Sequence, residues 1–233
     1  MLSQISVQSH CNMLQRRTRS MIRKTTVLAA SLLAIGVTSA ALLAGAGAAP
    51  AGAVTAAAAD SYQIDAVHTT VLFRINHAGA GVFWGRFNQI EGDFFIDPSK
   101  PEASHFKVTV PIAGIDTANE KRDEHLRSGD FFNARQYPTA TFESTSITRA
   151  AAENTFELKG DLTLMGETRS ITAQLLFGGN GTMQGKQIQG FEAAFTIKRA
   201  DFGISTYLAP DGGNGGALGN EVRIIVAGEG AKQ

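Results

Sequence analysis

Few residues in this chain have types and spacing suited to chemistry. Asp65-x-x-His68 puts a carboxylate and an imidazole three positions apart, close enough to meet across a turn. Such a pair is the orienter and general base of a hydrolase or transferase when a nucleophilic hydroxyl stands beside the imidazole. Serine and threonine are plentiful, so that reaction class stays open. The competing reading is a hydrogen-bonded structural pair that pins a barrel mouth. The stretch Arg122-Asp123-x-x-Leu126-x-Ser128-x-Asp130, which also carries His125 and Arg127, is the densest polar cluster. It reads either as a solvated helix face with a weak ion pair, or as a gate where Arg122, His125 or Arg127 meets a polar head group. His68 and His77 are nine positions apart, roughly 30 Å along a strand. They cannot share a metal, and no metal site is expected.

The usual signatures of catalysis are missing. The chain contains no Cys-x-x-Cys, no His-Glu-x-x-His and no Gly-x-Ser-x-Gly. Gly185-Lys186 lacks the preceding glycine and the following hydroxyl of a phosphate loop. Asp201-Phe202-Gly203, after Arg199, reads as a strand-end turn.

Charge divides the chain at residue 60. Arg16, Arg17, Arg19, Arg23 and Lys24 precede it, and no acidic residue does. An apolar run over 27–43 follows, then an Ala/Gly-rich stretch to Ala59. Basic start, apolar middle and small-residue end form the pattern of a secretory signal. Residues 1–59 are therefore expected to be a signal peptide with a small-residue spacer, cleaved within 52–59, and the protein to be periplasmic or secreted. Removing five basic residues from 21 leaves 16 against 21 acidic ones, a net of −5 for residues 60–233. A mildly acidic surface argues against a nucleic-acid partner and against adsorption to anionic lipid. The only cysteine, Cys11, would leave with the signal, so neither a disulfide nor a thiolate ligand is expected afterwards.

The remaining block has a period of two. Val71, Phe73 and Ile75 share one parity, as do Phe106, Val108, Val110 and Ile112. The rhythm returns at Phe156, Leu158, Leu162 and Leu164, at Ile171–Phe177, at Phe191–Ile197 and at Val222–Val226. Alternation of this kind marks antiparallel strands with one buried face. Asp97-Pro98, Gly178-Gly179-Asn180-Gly181 and the glycine-rich 211–216 stretch supply turns between them. A long meander closes most economically into a barrel, which removes unpaired edges. The expected fold is all-β: an antiparallel, lipocalin-like barrel of about eight strands over residues 60–233. One short helix is expected near 119–128, with Thr117 and Glu120 as a capping box. Leu126, Phe131 and Phe132 are placed to plug one end. The chain has 14 Phe against three Tyr and one Trp, and Phe lacks a polar handle. The inward face is thus either a packed core or a channel for one apolar ligand.

Five segments of this block are similar, in order, to the YceI-like family of polyisoprenoid-binding periplasmic proteins. They are Tyr62-x-Ile64-Asp65-x-x-His68-Thr69-x-Val71-x-Phe73-x-Ile75-x-His77, then Gly85-x-Phe87 with Gly92-x-Phe94 and Asp97. Thr117 with the segment from Arg122 to Phe132, followed by Tyr137-Pro138 and Phe142-x-Ser144, is the most specific. Gly160-x-Leu162-Thr163-x-x-Gly166-x-Thr168 and Arg199-x-Asp201-Phe202-Gly203 complete the set. The resemblance implies a barrel that holds a long isoprenoid or related lipid, a periplasmic location and no catalysis. It favours the channel over the filled core. The tail contacts then expected by parity are Val71, Phe73, Ile75, Phe94, Phe106, Val108, Phe142, Phe156, Leu158, Phe195 and Ile197. Asp65, His68, Arg122, His125 and Arg127 are expected at the head or mouth. No cofactor is expected. The expected partner is an isoprenoid or other long-chain lipid, with membrane contact only for lipid exchange and a homodimer left open. The alternatives are a hydrolase or transferase using Asp65 and His68, and a structural module with a filled core.

Overall fold

The computed structural model describes residues 61–233, and the expected signal segment lies outside them. The strands in chain order are β1 (Tyr62–Ile64), β2 (Thr70–His77), β3 (Gly81–Phe87), β4 (Glu91–Phe95), β5 (His105–Pro111) and β6 (Ile115–Asp116). The helix α1 (Glu120–Arg127) follows, then β7 (Thr139–Arg149), β8 (Thr155–Leu164), β9 (Glu167–Met183), β10 (Lys186–Lys198) and β11 (Leu218–Lys232). Every pairing is antiparallel. Eight strands close a ring in the order β1-β4-β5-β7-β8-β9-β10-β11, and β11 returns to β1. This is the expected eight-stranded antiparallel barrel with one short helix.

Closure depends on β11 serving two neighbours. Its final residues, Gly230–Lys232, pair with β1, while Val222–Ala227 pair with β2. β2 and β3 therefore widen the ring at the end nearest α1. β3 pairs with β6 only at Arg86 and Phe87, so its first half is not continued by another strand. The segment carrying α1 stands beside that interruption.

Two local expectations are corrected. The Gly178–Gly181 run is not a turn but the interior of β9, which runs on to Met183. A bulge in the β9–β10 pairing leaves Gly178 unpaired between Gly179, opposite Gly190, and Phe177, opposite Phe191, and a Cβ on Gly178 would sit 3.0 Å from the Gly190 carbonyl carbon. Glycine here permits a bulge and close backbone approach rather than a reversal. The reversal falls on Gln184 and Gly185, both at positive φ, as a two-residue hairpin requires. The helix is capped by Asn119, whose side chain accepts from the Arg122 N–H, and not by Thr117.

The interior is filled at one end and open at the other. Phe94 is the centre of the filled end. Its ring lies 5.2 Å from that of Phe106, 4.7 Å from Phe191 and 6.0 Å from Tyr62. Phe156 and Leu175 complete this floor, and all three of Phe94, Phe156 and Leu175 are essentially without exposure. Such aromatic packing exceeds simple area burial by about 0.5–1.5 kcal/mol per pair. A second cluster around Phe131, Phe202, Ile204 and Leu164 gathers at the helix end.

Candidate functional site

Between the floor and the helix runs a cavity of about 230 Å³, measured as room for the centres of water-sized spheres. About 10–15 Å³ by this measure holds one water, so the space is on the scale of a chain molecule. Its wall is apolar except for Thr117, Thr141, Arg122 and Arg199. Along β10 it spans Phe191 to Ile197, which is about 20 Å of strand.

Nine of the eleven residues expected as tail contacts line this space: Val71, Phe73, Ile75, Phe106, Val108, Phe142, Leu158, Phe195 and Ile197. Phe94 and Phe156 do not. Both face inward as parity requires, but they lie deep in the floor, where neighbouring side chains leave them almost no exposure. Parity fixes the face of a sheet, not the depth along the barrel axis. Residues left out of the expected set include Phe83, Phe87, Phe191 and Leu162. Phe83 and Phe87 share the parity of Gly85 on β3, so alternation could have found them. Leu126, Phe131 and Phe132 line the helix end, where they were expected as a plug.

The head-group candidates separate into three places. Arg122 lines the cavity, its guanidinium 4.4 Å above the Phe83 ring. Its Nε donates to Thr117 Oγ1 at 2.7 Å and its Nη2 to the Thr117 carbonyl. Among the described residues, Nη1 has no hydrogen-bond partner. Thr117 in turn donates through its N–H, at 2.9 Å, and its hydroxyl to buried Asp123. The Thr117–Asp123 contact thus replaces the expected capping box and holds Arg122 in place. His125 and Arg127 do not line the cavity: they pair with Asp130 at 2.9 Å and with Glu120 at 2.9 Å. Arg122 and Leu126 are four apart on one face, Arg127 is five positions from Arg122 and turns away, and His125 is drawn aside by its pairing with Asp130.

Asp65 and His68 are at the other end of the barrel. Val71 on β2 pairs with Val226, next to the floor, whereas the Arg122 end is marked by Ile75 beside Phe83. They are therefore not at the mouth, a correction that follows from the direction of β2. The pair itself forms, with His68 Nδ1 2.8 Å from Asp65 Oδ2. Glu229 Oε1 is 3.9 Å from the same nitrogen. The hydrogen bond with Asp65, then its charge, raises the His68 pKa, and the same bond lowers that of Asp65. Both ring contacts are carboxylates, and the adjacent Thr69 hydroxyl donates to the Glu229 carbonyl. Among the described residues, no hydroxyl is hydrogen-bonded to this imidazole.

In the sequence, Arg199 stands out only as part of a strand-end turn. The turn exists, closed by Gly203 at φ 79°. Arg199 itself is buried in the cavity wall, donating to the carbonyls of Gly219, Ile204 and Leu218 at 2.8, 3.0 and 3.1 Å. Burial lowers its pKa. It pins the start of β11 to the end of β10, and only the tertiary contacts reveal this.

A family model for the YceI-like domain matches residues 62–229. A UPF0312 protein of Pseudomonas paraeruginosa is 41% identical over 180 residues, covering 76% of this chain and 88% of its own. Protein YceI of Escherichia coli O157:H7 is 41% identical over the same length and the same shares. Among solved structures, a polyisoprenoid binding domain from Saccharophagus degradans superposes with a TM-score of 0.54 at 14% identity. It covers 74% of this chain and 98% of that one, a likeness of fold. With the family model running from β1 almost to the end of β11, and relatives this similar over most of their own length, the chain belongs to the YceI-like domain family.

Proposed function

We propose that this protein is a non-catalytic carrier, exported from the cytoplasm, that binds one long apolar chain of isoprenoid type. The observation that supports this reading most is the chain-scale apolar cavity that ends on an aromatic floor and carries Arg122 at its helix end. The tail lies against Phe73, Val108, Phe142 and Phe195, and the head group lies near Arg122 Nη1. Burial of each CH₂ contributes about 0.8 kcal/mol, so a tail of several isoprene units binds tightly without a strong polar contact. The floor limits how much tail the barrel accepts. Chain length and shape, more than the head, then govern selectivity. The polyisoprenoid binding described for the Saccharophagus degradans domain accords with this choice of ligand.

The test is native mass spectrometry and solvent extraction of the protein purified from its own cells, followed by titration of the delipidated protein with prenyl chains of graded length. A co-purifying isoprenoid, and an affinity that rises with length to a limit, is the expected result. Uptake of no prenyl chain at any length would overturn the proposal.

A further inference from the structure

Asp65, His68 and Glu229 form a cluster that the lipid-carrier reading does not use. One ligating atom from each lies within 4.8 Å of the others. The first two come from the loop joining β1 to β2, and Glu229 from β11, 160 positions beyond Thr69 in the same loop. The seam that closes the barrel assembles them. The Asp65 N–H donates to the Glu229 carbonyl at 2.9 Å, and the Thr69 hydroxyl donates to the same oxygen at 3.3 Å.

We propose that this cluster is a site for a divalent transition-metal ion, bound by His68 Nδ1, Asp65 Oδ2 and Glu229 Oε1. The ligands are oriented before any ion arrives. Asp65 Oδ1 accepts from the N–H groups of Val67, at 2.8 Å, and His68, at 3.3 Å. Those bonds hold the carboxylate so that Oδ2 faces the imidazole at 2.8 Å. Glu229 Oε1 approaches the same nitrogen to 3.9 Å. A tetrahedral zinc ion with bonds of about 2.0–2.2 Å sets neighbouring ligand atoms about 3.3–3.6 Å apart. The two separations to Nδ1 straddle that range, so the ion needs shifts of about half an ångström. Two carboxylates facing one imidazole carry excess negative charge, which a divalent cation neutralises. An imidazole in the donor set favours zinc, nickel or copper over calcium or magnesium. The His68 side chain is 53% exposed, which leaves the site open to solvent and the remaining coordination positions to water. The bound ion would clamp the β1–β2 loop to β11 at the end of the barrel remote from Arg122.

The test is calorimetric titration of the full chain with Zn²⁺ in a non-chelating buffer, beside the variants His68→Ala, Glu229→Gln and His125→Ala. Saturable binding of one equivalent is expected, weakened at least tenfold by His68→Ala and by Glu229→Gln and unchanged by His125→Ala. The melting temperature of the unmodified protein is expected to rise with Zn²⁺ and that of His68→Ala to stay level. If Glu229→Gln fails to fold, ring-nitrogen NMR of the unmodified protein replaces it, with the His68 Nδ1 resonance expected to shift on Zn²⁺ addition. Absence of saturable binding, equal affinity in His68→Ala, or an unmoved Nδ1 resonance would overturn the proposal.

Discussion

Arg122 and Asp116 illustrate how single side chains set the helix end of the barrel. Arg122 is held on both sides, by the Phe83 ring and by Thr117, so its free nitrogen is presented with little conformational cost. A hydrogen bond to a charged group contributes about 1.5–3 kcal/mol. Arg122→Ala is therefore expected to weaken binding of an anion-headed prenyl chain by about tenfold or more, by the same free-energy scale. A headless hydrocarbon of equal length should be almost unaffected, and a fluorescence displacement titration of the two ligands separates these outcomes. Asp116 acts on the backbone. Its carboxylate accepts from the Ala118 N–H, from Asn88 and from Arg86, and in that order of weight these hold its pKa down to about 2. A depressed acid contributes stability that is present above its ordinary value of 3.8 and disappears as the pH falls through about 2. Asp116→Asn should thus be less stable than the parent at neutral pH, with the gap closing between about pH 4 and pH 2 as this linkage requires. Denaturant unfolding at a series of pH values checks this, and a gap that persists undiminished at pH 2 would count against it.

Among the elements, α1 and the β2–β3 pair shape the open half. The helix has only eight residues and a strongly polar sequence, so its own propensity adds little. Its position rests on Leu126 against the cavity cluster and on the Asp123–Thr117 contacts. Asp123 is 5% exposed and takes both the N–H and the hydroxyl of Thr117. Asp123→Ala leaves two donors without their acceptor, and a loss of about 1–3 kcal/mol is expected, measurable by chemical denaturation. On the facing strands, Phe73 lies over Gly85, where an added Cβ would come within 2.3 Å of the ring. Gly85 exists at this point to admit that ring. Gly85→Ala should displace Phe73 at a cost of about 1–3 kcal/mol and lower prenyl affinity. An unchanged melting temperature and unchanged binding in this variant would sink the argument.

Across the whole molecule, the barrel combines a core and a container. The floor residue Phe94 touches three aromatic rings and has no exposure, whereas Phe195 is half-buried and borders the cavity. Phe94→Ala should cost about 3–5 kcal/mol, because its neighbours cannot collapse into the gap. Phe195→Ala removes contacts on one side only and should cost below about 2 kcal/mol, by the area it loses, while extending the space available to a tail. Equilibrium unfolding of both variants, with the chain-length profile of the second, distinguishes floor from wall. Equal losses would mean that the two halves of the interior do not differ as described.

The alternation of apolar residues determined that this is a sheet protein with one buried face, and the hairpin turns between the runs pointed to an antiparallel meander that closure completes as a barrel. It also determined which side chains point inward, and the nine tail candidates on the cavity wall follow from that alternation alone. The helix was legible as a polar interruption between strands. Depth was not legible, since Phe94 and Phe195 have the same parity signal and differ only in which rings surround them. Nor was the end of the barrel to which a loop belongs, so Asp65 and His68 looked like mouth residues until β11 placed Glu229 beside them. Arg199 and the Asp65–His68–Glu229 cluster depend on residues brought together from distant parts of the chain. Local periodicity records how each strand meets solvent and core, but contacts between distant strands arise only when the ring closes.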